Sequence, residues 1–150
     1  MSTVNPKYDE DVYGWAIHTA ELWRSKKMDE VDFDNIIEEM EALGRSEKYE
    51  LINRLKILIS HLLKLQYQSA MTFKFHGWKC TIREQRKQAK NVLRDNPSLK
   101  SKLDEILEDA YDVAISMAER ETGLKEETFP EKCPYSFEEI MNYEFYPEPK

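Results

Sequence analysis

The chain has 150 residues, a formal net charge of −7, 41% hydrophobic residues and 34% charged residues. These values exclude a disordered or fibrous chain and predict a globular domain with its own core. The N-terminus has no signal-peptide core, and no apolar run reaches the roughly 18 residues of a membrane helix, so we expect a cytoplasmic protein without a membrane partner. We predict a disordered N-terminus over residues 1–7, a single all-α domain over residues 8–146 and a frayed C-terminus over residues 147–150.

The first predicted helix covers about residues 8–26. A stripe at helical spacing predicts the face turned toward the core, and four further apolar or aromatic residues flank it. The stripe comprises Val12, Ala16, Thr19 and Trp23, and the flanking residues are Tyr8, Tyr13, Trp15 and Leu22. His18 projects opposite this face, so the pattern predicts an exposed histidine.

The second predicted helix follows Asp32, a residue type that caps helix N-termini well. Its predicted core residues are Phe33, Ile36, Ile37, Met40 and Leu43. Gly44 has the position of a glycine just beyond a helix end. We therefore expect a break or sharp kink at Gly44 and Arg45, with a continuous long helix as the alternative.

Three longer segments complete the predicted bundle. A wide apolar stripe predicts a central helix over about residues 47–68, and SAMTFKFHG over residues 69–77 predicts a loop or an irregular turn. A basic helix follows to Arg94, and a further helix begins after the cap Asn96 and ends before Gly123. The fold class is therefore all-α, a single compact helical bundle of four to five main helices.

A proline-punctuated coil and a short final helix follow the bundle. The coil LKEETFPEKCPY is expected to pack over the main helices. Ser136 and Glu139 have the spacing of a capping box, which predicts the start of the short helix SFEEIMNYEF.

Several segments along the chain form an ordered series: YDEDVYGWA, EEMEALGRSE, HLLKLQYQ, GWKCTIREQR, NPSLK, AY, ETGL and FPEKCPY. This series resembles the bacterial family known as domain of unknown function twenty-nine, over roughly residues 8–146. The resemblance implies an all-α fold and no assigned activity. It therefore supplies no catalytic, cofactor-binding or metal-binding residues for this chain.

The side chains that could bind metal or perform catalysis form no recognised motif. His18, His61 and His76 lack the E-x-x-H pattern of di-iron bundles and the close ligand spacing of zinc sites. Cys80 and Cys133 are far apart, which predicts two ordinary thiols, with a disulfide as the alternative. We therefore predict no catalytic residue, no cofactor and no metal.

An acidic group on the second helix has two interpretations. Glu38, Glu39 and Glu41 indicate a solvated helix face, and the alternative is acid–base chemistry or Mg²⁺ binding through phosphate. The sequence contains neither a nucleophile elbow nor a glycine-rich phosphate loop. An enzyme that handles a metal or phosphate is therefore the third functional hypothesis.

Two glutamines lie within apolar stripes. Gln66 is on the central helix and Gln85 is on the basic helix. A buried amide without partners costs about 1–3 kcal/mol, so each must find hydrogen bonds. We predict a buried polar network in which they bond each other, with a bound ligand as the alternative.

Six cations of the basic helix fall within one arc of roughly 100° beside its apolar face. We call them the basic strip: Lys79, Arg83, Arg86, Lys87, Lys90 and Arg94. Residues 74–94 hold seven bases and one acid, a charge of +6 that leaves −13 for the rest of the chain. The strip is either a surface for an anionic partner or a counter-charge for the acidic helix that follows, and we favour pairing with those acids.

The sequence therefore predicts an interaction module that engages a protein partner or a second copy of itself. The alternative is a nucleic-acid-associated factor that uses the basic helix over residues 78–94. The net charge of −7 disfavours nucleic acid because a polyanion is repelled at long range.

Overall fold

The computed structural model describes residues 5–68 and 72–150. Its helices are α1 (Val12–Arg24), α2 (Phe33–Tyr67), α3 (Thr72–Asp95), α4 (Leu103–Thr122) and α5 (Phe137–Met141), with 3₁₀ turns at Met28–Glu30, Pro97–Lys102 and Glu126–Thr128. The described residues contain no strand, which confirms the all-α fold class with its short C-terminal helix.

The chain divides into two compact units, one that ends at Arg45 and one that comprises Ser46–Lys150. The single domain predicted over residues 8–146 stays a prediction, and the disordered N-terminus predicted over residues 1–7 lies partly outside the described residues. Within the described residues, no helix combines the length and the apolar character needed to cross a membrane.

The first unit has a small interior. Trp15 and Leu22 of α1 are buried. The Trp15 ring packs edge-on against Tyr8 at 4.9 Å between centroids, and the Tyr8 hydroxyl donates a 2.5 Å hydrogen bond to Glu39 of α2. These contacts turn the Trp15 side of α1 inward. The predicted core face is therefore wrong at Val12, Ala16 and Trp23, which are exposed, whereas Thr19 is half-buried and the predicted flanking residues Trp15 and Leu22 form the interior.

Helix α1 begins at a cap made by Asp11, whose carboxylate accepts a 2.9 Å hydrogen bond from the Gly14 backbone. A Cβ atom on residue 14 would come within 2.9 Å of the Asp11 carboxyl carbon. Gly14 is therefore the residue that leaves room for this cap.

Helix α2 continues through Gly44 for 35 residues without interruption. The break predicted at Gly44 and Arg45 is therefore wrong, and the continuous alternative is confirmed. A glycine costs a helix interior only about 1 kcal/mol relative to alanine, which the turns on either side offset. At the start of α2, the Asp32 carboxylate accepts a 3.3 Å bond from the Asn35 backbone, which confirms the predicted cap.

The predicted core of the first part of α2 is also corrected. Ile36 is half-buried, and the other four predicted core residues are exposed: Phe33, Ile37, Met40 and Leu43.

The second unit contains the hydrophobic core. The central stripe from Leu51 to Leu65 on α2 packs with Ile82, Ala89 and Leu93 of α3. Helix α4 contributes Tyr111, Ile115 and four residues spaced four apart: Ile106, Ala110, Ala114 and Ala118. Three of them are alanines, and such small side chains let neighbouring helices approach closely.

Helix α3 starts earlier than the sequence predicts. It begins at Thr72, so the loop predicted over residues 69–77 is wrong from residue 72 onward, and residues 69–71 lie outside the described residues. Asn96 has the predicted N-cap position before Pro97, but its side chain does not bond the following turn. Its amide donates instead to the Val92 carbonyl at 3.0 Å and to Glu47 at 3.1 Å.

The C-terminal segment packs on the second unit as predicted. Gly123 ends α4 in the left-handed conformation with φ of 76°, and Ser136 and Glu139 exchange capping-box bonds of 3.1 and 2.9 Å. The coil buries Phe129 and Tyr135. The fraying predicted for residues 147–150 stays a prediction; the Lys150 backbone donates a 2.6 Å bond to the Gln66 carbonyl.

Candidate interaction surfaces

Five of the six cations in the basic strip lie on the surface of α3. The exposed ones are Lys79, Arg83, Lys87, Lys90 and Arg94. Arg94 pairs with its neighbour Asp95 at 3.0 Å, and the Lys79 ammonium lies 4.9 Å from the centre of the Tyr146 ring. The other three exposed cations form no ion pair with any residue that the structure describes.

Two acids of α4 pair with lysines of α2, and no described acid of α4 pairs with the basic strip. Lys48 binds Glu105, and Lys64 binds Glu121. The hydrogen bond between the first pair raises the pKa of Lys48 and lowers that of Glu105. The expected pairing of the strip with the acids of α4 is therefore wrong for the described residues of these two helices. The exposed cations of the strip form an open positive surface.

Arg86, the sixth member of the strip, is fully buried and cannot contribute to an anionic-partner surface. Its Nε donates to the Ile140 carbonyl at 2.6 Å, and its Nη2 donates to the Phe145 carbonyl at 2.7 Å. The guanidinium also lies 5.4 Å from the Tyr146 ring centre. Burial lowers the pKa of Arg86 from its usual value. Arg86 is at the edge of the cationic arc nearest the apolar face, and the C-terminal segment covers that edge.

The two glutamines predicted to bond each other are not brought together. Gln66 accepts a 2.7 Å hydrogen bond from the Tyr135 hydroxyl, which fixes the C-terminal coil to α2. Gln85 is buried, and its Oε1 has no hydrogen-bond partner among the described residues. The predicted hydrogen bond between Gln66 and Gln85 is therefore wrong, and Gln66 bonds the C-terminal coil instead.

A partly buried polar cluster that the sequence pattern did not single out joins α2 and α4. The Lys64 side chain is 5% exposed and pairs with Glu121. His61 donates from Nδ1 to the Ile57 carbonyl at 2.8 Å, and its Nε2 accepts from the Lys64 ammonium at 3.3 Å in the tautomer that satisfies both contacts. The sequence signal that could have revealed this cluster is a lysine within the apolar run LLKLQ.

The charges and the burial of this cluster favour a neutral His61. Burial is the main cause that lowers the pKa of His61, and the Lys64 charge lowers it further. Burial alone would raise the pKa of Glu121, but the hydrogen bond and charge of Lys64 lower it overall. The cluster is a structural ion pair with a neutral imidazole beside it.

The remaining candidate ligands stay apart. Over residues 5–68 and 72–150, no three His, Cys, Asp or Glu side chains lie close enough to hold a metal ion. Cys80 and Cys133 are free thiols, and His18 is half-buried rather than exposed as predicted. Glu39 accepts the Tyr8 hydrogen bond, which raises the pKa of Tyr8 to about 12.

The first unit carries a second exposed surface, which we call the N-terminal apolar face. On α1, six exposed residues span an arc of roughly 140° on the side away from Trp15 and Leu22. The face comprises Val12, Tyr13, Ala16, Ile17, Ala20 and Trp23 of α1 and Phe33, Ile37, Met40 and Leu43 of α2. The Trp23 and Phe33 rings lie 6.4 Å apart and join the two arcs.

Helices are the regular secondary structure of the described residues, which contain no strand. The chain is therefore an all-α protein, and its surface carries an apolar face and a basic strip. The chain belongs to the family described as Domain of unknown function DUF29, whose model matches residues 7–146. This match confirms the resemblance seen in the sequence. No curated protein and no solved structure matches the chain.

Proposed function

We propose that this protein is a cytoplasmic protein–protein interaction module and that its partner docks on the N-terminal apolar face. The observation that carries the proposal is the concentration of exposed apolar side chains in one small unit. Tyr13 is 79% exposed and Met40 is 63% exposed, whereas Trp15 and Leu22 are the buried hydrophobic residues described in that unit. Contiguous apolar patches larger than a few hundred Å² mark interaction sites in monomeric proteins.

The size of the face supports this proposal. Aromatic side chains each offer about 150–250 Å² when fully exposed, and eight large apolar side chains of the face are about half exposed or more. Together they present several hundred Å², on the order of the 800 Å² that each partner buries in a stable interface. Burial of apolar surface contributes about 25 cal/mol per Å², so this face has a clear driving force for association.

The composition of the face is that of an interface centre. Tyr13, Trp23 and Phe33 are aromatic, and Tyr and Trp are enriched among residues that dominate binding energy. Most charged side chains around them lie beyond the ends of α1, and Arg24, which falls within the angular range of the arc at its C-terminal end, pairs with Glu21. This pattern of an apolar centre with a charged rim is typical of specific interfaces.

Site-specific photo-crosslinking in the native cells tests the proposal. A benzophenone side chain replaces Tyr13 or Met40 on the face, and in the matched control it replaces Tyr143, which is 41% exposed in the second unit. We expect irradiation to yield discrete protein adducts from both face positions and not from the control. Mass spectrometry then identifies the crosslinked polypeptide.

An absence of adducts from Tyr13 and Met40 would contradict the proposal. Equal adduct yields from Tyr143 would contradict it too, because the face would then be no more reactive than the rest of the surface.

A second candidate function is nucleic-acid binding through the exposed part of the basic strip. The supporting observation is that Arg83, Lys87 and Lys90 lie exposed on one helix without an ion pair among the described residues. Phosphates would supply the missing counter-charge, and the affinity would then fall steeply with salt. Titration of fluorescent DNA and RNA at 50 mM salt, a condition of low screening, tests this candidate.

The triple variant Arg83→Gln, Lys87→Gln, Lys90→Gln is expected to abolish such binding. The control variant Lys125→Gln, Lys132→Gln removes exposed cations from the C-terminal coil and is expected to bind like the wild type. A wild-type protein that binds neither nucleic acid rules this candidate out. The metal- or phosphate-handling enzyme stays a hypothesis.

A further inference from the structure

We infer that the partner on the N-terminal apolar face is a second copy of this chain, related by a two-fold axis that places the two α1 helices antiparallel. The inference rests on the proposed function, because it names the partner of the same face. Three features carry it: the charges at the two ends of α1, the order of side chains along its exposed arc and the area of the face.

Opposite charges flank the exposed arc of α1. Asp9 and Glu10 precede the helix, and Lys26 and Lys27 follow it. All four are exposed, and none forms an ion pair with a residue that the structure describes. A helix of 13 residues is about 20 Å long, so the acidic end and the basic end are well separated.

An antiparallel two-fold arrangement brings each acidic end against the basic end of the other copy. A parallel arrangement would instead place like charges together, which is unfavourable. In a two-fold interface the same patch is used twice, so a contact between positions i and j occurs two times. The acidic and basic ends would therefore form two equivalent sets of ion pairs at the rim.

The apolar side chains fit the same axis. The midpoint between the acidic and basic ends is position 18, beside Ile17. A two-fold axis there places Ala16 opposite Ala20 of the second copy, and two alanines let helices approach closely. It also places Tyr13 opposite Trp23 of the second copy on both sides of the crossing, where an aromatic pair contributes about 0.5–1.5 kcal/mol beyond its buried area.

The area of the face matches one complete interface. Each copy of a stable dimer buries about 800 Å², and the exposed side chains of the face supply an area of that order. A second copy supplies the same apolar area, and the charged ends of its α1 lie in the order that an antiparallel arrangement requires. The dimer therefore needs no other surface of the chain.

Charge reversal at the two ends of α1 tests the inference on the full-length protein. The first variant is Asp9→Lys, Glu10→Lys, and the second is Lys26→Glu, Lys27→Glu. Both leave the apolar face intact, and both sets of positions lie outside the helix bounds Val12–Arg24. Sedimentation equilibrium at low salt measures the dimer dissociation constant, and circular dichroism verifies that each variant is folded.

We expect the wild type to dimerise and each variant alone to bind itself on the order of tenfold more weakly, because like charges then meet at both rims. An equimolar mixture of the two variants is expected to recover wild-type affinity, since every rim contact in the mixed dimer is again between opposite charges. Ile17→Glu is expected to abolish the dimer, whereas Val113→Glu, at an exposed apolar site of the second unit, leaves it unchanged.

Three results overturn the inference. A wild type that stays monomeric at 100 μM, well above the concentrations at which standard interfaces associate, excludes the second copy as partner. A dimer that the mixed variants fail to restore excludes the antiparallel arrangement. A monomeric wild type that nevertheless crosslinks from Tyr13 and Met40 to another polypeptide refutes this inference alone and leaves the proposed function standing. A monomeric wild type that gives no crosslinks refutes both the inference and the proposed function.

Discussion

Nε of Arg86 on α3 donates a 2.6 Å hydrogen bond to the carbonyl oxygen of Ile140 on α5. Arg86 also donates to the carbonyl of Phe145, so one buried guanidinium binds two points of the C-terminal segment. This arrangement explains why a cation is retained inside the second unit of an acidic protein. Its donors satisfy carbonyl groups that would otherwise be buried without partners.

Arg86→Gln is expected to lower the free energy of unfolding by about 2–3 kcal/mol, because buried carbonyl groups lose charged donors. Hydrogen exchange of residues 139–146 should accelerate as the segment loses its attachment. The matched control is Arg83→Gln on the exposed side of α3, which should stay within about 0.5 kcal/mol of the wild type. Urea unfolding of both proteins provides the comparison, and equal effects would contradict a structural role for Arg86.

The ion pair between Lys64 and Glu121 leads to a second prediction. Glu121→Gln is expected to destabilise the protein by about 1–2 kcal/mol, because it leaves a buried ammonium without its counter-charge, and the partial exposure of Glu121 limits the loss. Adding Lys64→Met should recover part of this loss, since the unpaired charge is then removed. Thermal unfolding of both variants measures the difference.

The exposed pair Arg24–Glu21 is the control for this cycle. Glu21→Gln should change the free energy of unfolding by less than about 0.5 kcal/mol, as is usual for exposed pairs. If Lys64→Met in the Glu121→Gln background deepened the loss instead, Lys64 would contribute through packing and not through its charge.

The pH dependence of stability should show the contribution of His61. Its pKa in the folded protein lies below the ordinary value of 6.5, so the unfolded chain binds the proton more tightly than the folded one. The stability that the neutral imidazole provides is therefore complete above the unfolded pKa. It is lost as the pH falls from about 6.5 through the lowered folded pKa, with a slope of at most about 1.4 kcal/mol per pH unit.

His61→Gln removes this titration. Urea unfolding at a series of pH values from 7.5 to 5, a range around the unperturbed histidine pKa, should show a shallower decline for the variant than for the wild type. A decline of identical slope in both proteins would show that His61 does not titrate differently on folding.

Glycine substitutions test the continuity of α2. Gly44 lies within the helix, and a Cβ atom there would meet nothing within 4 Å. Gly44→Ala is therefore expected to stabilise the protein by about 0.5–1 kcal/mol. Gly123→Ala, at a residue with φ of 76°, should destabilise it by at least about 1 kcal/mol because a side chain strains the left-handed conformation. Thermal denaturation of both variants gives the sign, and destabilisation by Gly44→Ala would argue for a break at that residue.

Local sequence patterns were sufficient to predict much of the structure of the second unit. The stripe from Leu51 to Leu65, the end of α4 at Gly123 and the capping box of Ser136 and Glu139 all depend on residues close in the chain. The spacing of charges on α3 likewise defined the basic strip. Helical periodicity and capping chemistry act over a few residues, so these features could be predicted without knowing what packs against them.

Contacts between distant residues decided the rest. Both sides of α1 are apolar, so periodicity alone could not choose between the face with Val12 and the face with Trp15. The Tyr8 hydroxyl bonds Glu39, which lies 31 positions away in the chain, and Trp15 is buried on that side of α1. For the same reason Arg86 could not be separated from its exposed neighbours until α5 and the residues after it covered that edge of α3.

The sequence by itself determined that this protein is built from helices, where most of those helices end and which arcs on them are apolar or cationic. Only the tertiary structure decided which apolar arcs are covered, which cation is buried and which acids pair with which bases. The physical reason is that helix formation depends on hydrogen bonds and side chains within a few positions, whereas burial and ion pairing depend on surfaces that residues far apart in the chain bring together.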